Sequence, residues 1–284
     1  MILVTGANGQ LGRAVVDHLL DRLPANQIAV SVREPAKAAD LAQRGVQVRR
    51  GDFAEPESLI EAFKGVDRLL LVSIDVTGPL RVQMQRNAVE AARHAKVGHL
   101  IYTSAVDPDP RSPFGPAADH AATEQAIRES GLRYTLLRNG FYMETLPMLV
   151  QGAVAGGAIE APADGPGSYV ARNELAEATA NLLVAGGYHD QALELTGGEA
   201  VDLAQVAQIV GRILGRQVER QELTDEAYSD GLLAVGMPAG VVAIFLQIFA
   251  ALREGRFSTV SPVLGELLGR APQSPEAFLR ATLQ

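Results

Sequence analysis

Gly6, Gly9 and Gly12 lie in the stretch Gly6-Ala7-Asn8-Gly9-Gln10-Leu11-Gly12, between the apolar run Ile2-Leu3-Val4-Thr5 and the helical rhythm of Val15, Val16, Leu19 and Leu20. Residues of these types at this spacing can hold phosphate. Gly6 allows a sharp exit from a strand, Gly9 lets the backbone approach a pyrophosphate with no Cβ in the way, and Gly12 lets the helix pack closely on the sheet. The free N–H groups and the positive end of the helix then bind the anion. An ordinary tight turn does not require three glycines, so the pattern predicts dinucleotide binding, with Asn8, Gln10 and Leu11 completing the turn.

The residues about 20 positions further on discriminate between dinucleotides. An NAD site places Asp or Glu at the end of the second strand to hold the ribose hydroxyls. Here the strand Ile28 to Val32 runs into Arg33-Glu34-Pro35-Ala36-Lys37. Arg33 and Lys37 suit a 2′-phosphate, because a guanidinium binds phosphate bidentately and an ammonium adds a point charge. NADP(H) is therefore expected rather than NAD. Glu34 offsets part of that field. A third strand, Val46 to Arg50, leads to Asp52, which can accept from the adenine amino group, and to Phe53, which can cover the ring.

The elements that must position these residues form an alternating series. Apolar or β-branched runs at 27–32, 46–50, 68–73, 99–104 and 134–138 are separated by helix-length segments, which predicts an α/β fold with a doubly wound parallel sheet. Ligand contacts in such a sheet come from loops at the carboxyl ends of the strands. Three such stretches are candidates: Val72-Ser73 with the loop through Gly78; Tyr102, Thr103 and Ser104 with Ala105 and Val106; and Arg138-Asn139-Gly140-Phe141-Tyr142. The first two are expected to flank ribose and nicotinamide, the third to face the reacting ring. Beyond about residue 140 the pattern becomes irregular, with a helix at 173–185, a strand at 192–195 and a helix at 203–214. The expected division is a Rossmann domain over 1–140, its sheet completed by later segments, and a smaller α/β lobe over 141–284 that binds substrate.

Composition excludes several function classes. The net charge of −8 over 284 residues, with no basic tract, gives little support to nucleic-acid binding. The absence of cysteine removes disulfides, thiolate chemistry and cysteine-ligated metals, and no metal site is expected. No basic segment precedes the first strand, so a secretory signal is not expected and the protein is placed in the cytoplasm. The apolar stretch Val241 to Leu252 is too short for a membrane span, which needs about 20 residues. It is expected to be a buried helix that helps to close an apolar pocket, with a plain core helix or a dimer face as the alternatives.

The glycine turn, Val32 to Lys37, Tyr102-Thr103-Ser104, His120-Ala121-Ala122-Thr123-Glu124 and Tyr134 to Tyr142 together resemble the NmrA-like atypical short-chain dehydrogenases, in particular their NADPH-dependent quinone oxidoreductases, with triphenylmethane dye reductases nearby. The resemblance implies NADPH binding, an extended Rossmann fold, reduction of an apolar acceptor such as a quinone, and a homodimer.

An absence narrows the mechanism. Ordinary short-chain dehydrogenases move the alcohol proton with a Tyr and a Lys four residues later, whereas the lysines here are Lys37, Lys64 and Lys96, and no tyrosine has one at that spacing. Reducing a ketone creates alkoxide character that a general acid must relieve, but hydride delivered to a quinone gives a delocalised phenolate that water can protonate. Quinone-like acceptors or cationic dyes are thus expected over alcohols, and sugar-nucleotide epimerase chemistry is disfavoured. Asn139 and Tyr142 are the candidates to donate hydrogen bonds to the developing oxyanion, and His120 is a candidate to position the nicotinamide side or to protonate product. A reading from another class, an NADP(H)-binding redox sensor acting through a protein partner, predicts an occluded nicotinamide pocket and no quinone-dependent NADPH oxidation.

Overall fold

The computed structural model describes residues 1–283. In its first half, strands and helices alternate: β1 (Ile2–Thr5), α1 (Gln10–Leu20), β2 (Ile28–Val32), α2 (Ala39–Gln43), β3 (Gln47–Arg50), α3 (Pro56–Phe63), β4 (Arg68–Leu71), α4 (Pro79–His94), β5 (His99–Ala105), α5 (Gly115–Glu129) and β6 (Tyr134–Asn139). Then follow β7 (Phe141–Tyr142), α6 (Leu146–Leu149), α7 (Gln151–Gly156), β8 (Ala158–Pro162), β9 (Tyr169–Val170), α8 (Arg172–Ala185) and β10 (Gln191–Leu195). The chain ends with α9 (Leu203–Leu214), β11 (Glu219–Leu223), α10 (Asp225–Ala234), α11 (Ala239–Arg253), α12 (Val263–Leu268) and α13 (Pro275–Leu283).

Seven strands form one parallel sheet in the order β10-β6-β5-β4-β1-β2-β3. β1 is apolar and buried on both faces, as a central parallel strand must be. Ile2 and Val4 point to one side, against Val15, Val16 and Leu19 of α1. Leu3 points to the other, against Phe63 of α3 and Val89 of α4. Each such fully buried Val or Leu contributes about 1.5–3 kcal/mol. The strand order reverses between β1 and β4, and the crevice outside their carboxyl ends is where an open sheet of this kind takes ligand.

β10 arises after residue 140 yet pairs with β6 in register from Gln191 opposite Thr135 to Leu195 opposite Asn139. α8, through Leu175 and Leu183, and α12, through Leu264, also return to the first core beside α1, while other parts of 141–283 pack a second core around Met143, Ile159, Val206, Phe249 and Phe257. Gly140 sits at the passage between the two parts. A Cβ there would lie 2.8 Å from the Ser168 carbonyl oxygen.

The apolar stretch at 241–252 departs from expectation. It is helical within α11, but only Val242, Phe249, Ala251 and Leu252 are buried, and Val241 is 44% exposed. One face packs on the lobe and the other meets solvent, because no second layer covers it. No helix among the described residues is long and apolar enough to cross a membrane.

His99 starts β5 inside the sheet, with Nε2 2.8 Å from Thr135 Oγ1 and its ring edge-on to His189 at 4.8 Å. Burial, reinforced by the neighbouring His189, pushes its pKa down from 6.5 to about 4. Below pH 6.5 the unfolded chain takes up a proton that the folded chain refuses until about pH 4. Stability contributed by this site is therefore full above pH 6.5 and falls by about 3 kcal/mol on acidification to pH 4. Urea midpoints across this range are expected to drop for the parent and to drop less for His99→Gln. Parallel curves would show that other groups govern the acid limb.

Candidate active site

The glycine turn is built by two backbone constraints. Gly6 leaves β1 at φ +65°, a conformation that side chains disfavour. A Cβ on Gly12 would lie 2.5 Å from the Gly6 carbonyl oxygen, so the first turn of α1 can rest on the turn only without one. Gly9 caps α1 with no side-chain hydrogen bond, which leaves the helix end open to an anion. Leu11 faces the core, while Gln10 is exposed and its Oε1 accepts from Arg172.

Beside this turn lies a cavity of about 500 Å³, lined by Gly6, Asn8, Arg33, Lys37, Asp52 and Phe53 together with Ser31, Ile74 and Met84. Arg33 and Lys37 thus converge on one space. Glu34 lies between them, 2.8 Å from the Lys37 ammonium and 3.9 Å from Arg33. The bond from Lys37, more than any other influence, lowers the Glu34 pKa. Asp52 uses Oδ1 to accept from the Ala54 amide at 2.9 Å. Phe53 is mostly buried in the core with one side at the cavity.

A second cavity, of about 200 Å³, lies further along the same sheet edge and is lined by Ser73, Thr103, Ser104, His120, Asn139, Gly140, Phe141 and Tyr142. Ser73 borders this one and Ile74 the other, so the two are neighbours. Val72 packs beside Gly6, and its amide donates to Thr5 Oγ1 at 2.8 Å. Phe114 and Phe257 complete an aromatic wall with Phe141, at centroid distances of 5.7 and 5.2 Å from the Phe257 ring. Phe114, Thr145 and Phe257 were not foreseen from sequence. Phe257 follows α11, more than a hundred residues from Phe141, and no local spacing links them.

Asn139 is buried, and its Oδ1 has no hydrogen-bond partner. Burial raises the Tyr142 pKa, with Asn139 and Arg172 acting in the other direction, so the hydroxyl carries its proton. The Arg172 guanidinium lies 4.9 Å from the Tyr142 ring centre. A protonated phenol and an amide whose oxygen has no partner therefore border one cavity.

Three expected residues are held differently. The Tyr102 side chain does not reach the cleft: it is fully buried, and its hydroxyl lies 2.9 Å from His120 Nδ1. Ser104 lines the cavity but gives its hydroxyl to Glu124 at 2.7 Å. Alternation along β5 places Tyr102 and Ser104 on the face covered by α5, whose residues 120 and 124 are one turn apart. Thr103, between them, accepts from the Ser73 amide at 2.9 Å. His120 borders the cavity with both nitrogens already bonded, Nε2 to Arg81 at 2.8 Å and Nδ1 to Tyr102. Burial, and then Arg81, push its pKa well below 6.5. It has no imidazolium proton to deliver, so the expected role in protonating product does not fit this geometry.

Bound NADP(H) fits these residues. The open helix end and the close approach at Gly12 form a phosphate cradle, two cations border one cavity, and Asn139, with its orphaned oxygen, borders the next. The model of the NmrA-like family matches residues 1–271. Quinone oxidoreductase 2 of Escherichia coli K12 is 36% identical over 270 residues, covering 95% of this chain and 94% of that protein. The structure of Citrobacter sp. triphenylmethane reductase complexed with NADP(H) superposes with a TM-score of 0.94 at 36% identity, covering 99% of both chains. That of the Escherichia coli NADPH-dependent quinone oxidoreductase complexed with NADPH gives 0.93 at 34% identity, covering 100% of this chain and 99% of the other. With its full extent shared at this level, in sequence and in fold, the chain belongs to the NmrA-like family.

Proposed function

We propose that this protein is an NADPH-dependent oxidoreductase whose acceptor is a quinone. Residues 1–140 hold the nucleotide, and the acceptor pocket forms where their strand ends, with Phe114 and Asn139, meet Phe141, Tyr142 and Phe257 of the smaller lobe. The observation that carries the reading is the adjacency of the two cavities, one bordered by Arg33 and Lys37 and the other by the Asn139 amide, the Tyr142 hydroxyl and the aromatic wall.

When bound, NADPH supplies a hydride from C4 of its nicotinamide. Gly6 to Gly12 and the first turn of α1 hold the pyrophosphate, Arg33 and Lys37 the 2′-phosphate, and Asp52 and Phe53 the adenine. Phe114, Phe141 and Phe257 stack a flat apolar acceptor and exclude water, which strengthens every hydrogen bond in the pocket. Tyr142 and the Asn139 amide donate to the acceptor oxygen as negative charge gathers there. Water then protonates the delocalised product, which removes the need for a Tyr-Lys pair.

Following NADPH and NADH oxidation with benzoquinones, naphthoquinones and a triphenylmethane dye tests this reading. Quinone-dependent NADPH oxidation is expected, with kcat/KM at least about tenfold below it for NADH, as loss of one charge-assisted phosphate contact implies. Arg33→Ala should remove most of that discrimination. Tight NADPH binding with no oxidation by any acceptor would instead favour the redox sensor.

A further inference from the structure

Arg81 is a buried cation with an unusual lack of compensation. It lies in the first turns of α4 and is 5% exposed. No carboxylate comes within 4.0 Å of it among the described residues. Its guanidinium donates to His120 Nε2 at 2.8 Å, and its own Nε has no partner. One turn further along α4, both polar atoms of the Gln85 amide are also buried and unpartnered. Buried charges are ordinarily paired, because desolvation costs several kcal/mol. A fold that retains an unpaired guanidinium behind a pocket uses it for more than packing.

The bonding fixes what it does. A guanidinium can only donate, so His120 Nε2 must accept, and the proton of the neutral ring resides on Nδ1. That N–H donates to the Tyr102 oxygen at 2.9 Å. Arg81, His120 and Tyr102 thus form one directed chain from α4 to β5. Burial pushes the Tyr102 hydroxyl up to about 12, so it stays protonated. The ring at the centre of this chain borders the same cavity as Asn139 and Tyr142.

We propose that Arg81 is a positioning residue of the hydride-transfer site: through His120 it locks the imidazole in one neutral tautomer, and it keeps a positive charge beneath the acceptor pocket that favours acceptors whose reduced form is an anion. This rests on the quinone-reducing reading. Hydride added to a ring carbon conjugated with a carbonyl leaves that oxygen as an enolate oxyanion; water protonates it, and the new carbon-bound proton then passes through water to the second carbonyl oxygen, giving the hydroquinone. The buried cation stabilises that oxyanion without donating a proton to it. The charged and titratable groups around His120 are Arg81 on α4, Tyr102 on β5, Asp119 and Glu124 on its own helix, and Arg138 and Tyr142 from β6 and β7. Asp119 accepts from the Gly78 amide at 2.7 Å and Glu124 is held by Arg138 at 2.8 Å, so neither carboxylate serves as the partner of Arg81.

Arg81→Met tests the assignment, because an apolar residue of similar length in place of a buried charge is often tolerated. Nitrogen chemical shifts of the His120 ring are followed between about pH 5 and 8 in full-length parent and variant, where an ordinary histidine titrates. Beside them, single-turnover NADPH oxidation by a benzoquinone is timed. The parent ring is expected to remain neutral as the Nδ1–H tautomer alone, and the variant ring, still buried, to remain neutral but to populate the Nε2–H form as well. Hydride transfer should slow by about tenfold, less than on loss of a direct oxyanion donor, with NADPH affinity unchanged. Arg81→Lys, which also donates to Nε2, should restore the single tautomer and recover most of the rate. A ring that keeps the Nδ1–H tautomer alone in folded Arg81→Met, or an Arg81→Lys variant as slow as Arg81→Met, overturns the proposal. If the parent reduces no quinone, the functional reading fails, and the ring nitrogen shifts still decide whether Arg81 sets the tautomer.

Discussion

Gly12→Ala is expected to fold around an intact sheet and to bind NADPH about 100- to 1,000-fold more weakly than the parent, a loss of two charge-assisted backbone contacts. The cause is one atom. Its Cβ would lie 2.5 Å from the Gly6 carbonyl oxygen and 2.8 Å from the carbonyl carbon, both backbone atoms of the phosphate turn. Neither can rotate away, so α1 must move off the turn or the turn must open. Either movement displaces the open N–H groups of the helix end from the space they face, and overpacking costs a further 1–3 kcal/mol or about that in stability. Gly240→Ala is the control, because a Cβ there meets nothing within 4 Å. Calorimetric titration with NADPH, alongside thermal melts, separates binding from folding. Affinity within about fivefold of the parent, on the scale where tenfold is 1.4 kcal/mol, would mean that the helix end does not carry the phosphates.

Asn139→Ala combined with Tyr142→Phe is expected to slow hydride transfer by about 100- to 1,000-fold, the range for removal of a preorganised donor from a site that excludes water. NADPH affinity should change far less, because the residues proposed to hold the pyrophosphate and 2′-phosphate border the neighbouring cavity. The structure makes the experiment clean. Asn139 Oδ1 has no partner to be stranded by the change, and the Asn139 backbone bond to the Val106 amide survives it. Phenylalanine at 142 keeps the ring that Arg172 covers. The two side chains border one cavity, so their effects will not add, and each single variant should lose more than half of the logarithm lost by the pair. An unchanged single-turnover rate constant in the double variant would exclude both from the reaction.

The parts of this protein that could be read from its sequence are those in which cause and effect lie within a few residues of each other. The glycine turn is one: its backbone constraints join Gly6 to Gly12, and the strand before it and the helix after it are visible as periodicity. Arg33 and Lys37 are another, since a strand end and the next helical turn must project to the same side. Fold class followed from strand-helix alternation, because a parallel strand buried on both faces is largely apolar, as Ile2, Leu3 and Val4 of β1 are.

What tertiary structure alone decided is which side chains are spent on one another. The type and position of His120 advertised acid-base chemistry, but Arg81, 39 residues earlier, and Tyr102, 18 residues earlier, occupy both of its nitrogens. Tyr102 and Ser104 looked available at a strand end until α5 covered their face with His120 and Glu124. Phe257 reached the pocket wall from beyond α11, and α11 itself proved to be buried on one side only. Sequence dictates local geometry through steric and hydrogen-bonding rules that act over a few residues. The pairing of a buried donor with an acceptor, and hence whether a titratable group remains free to react, is determined by which distant elements the packed core brings into contact.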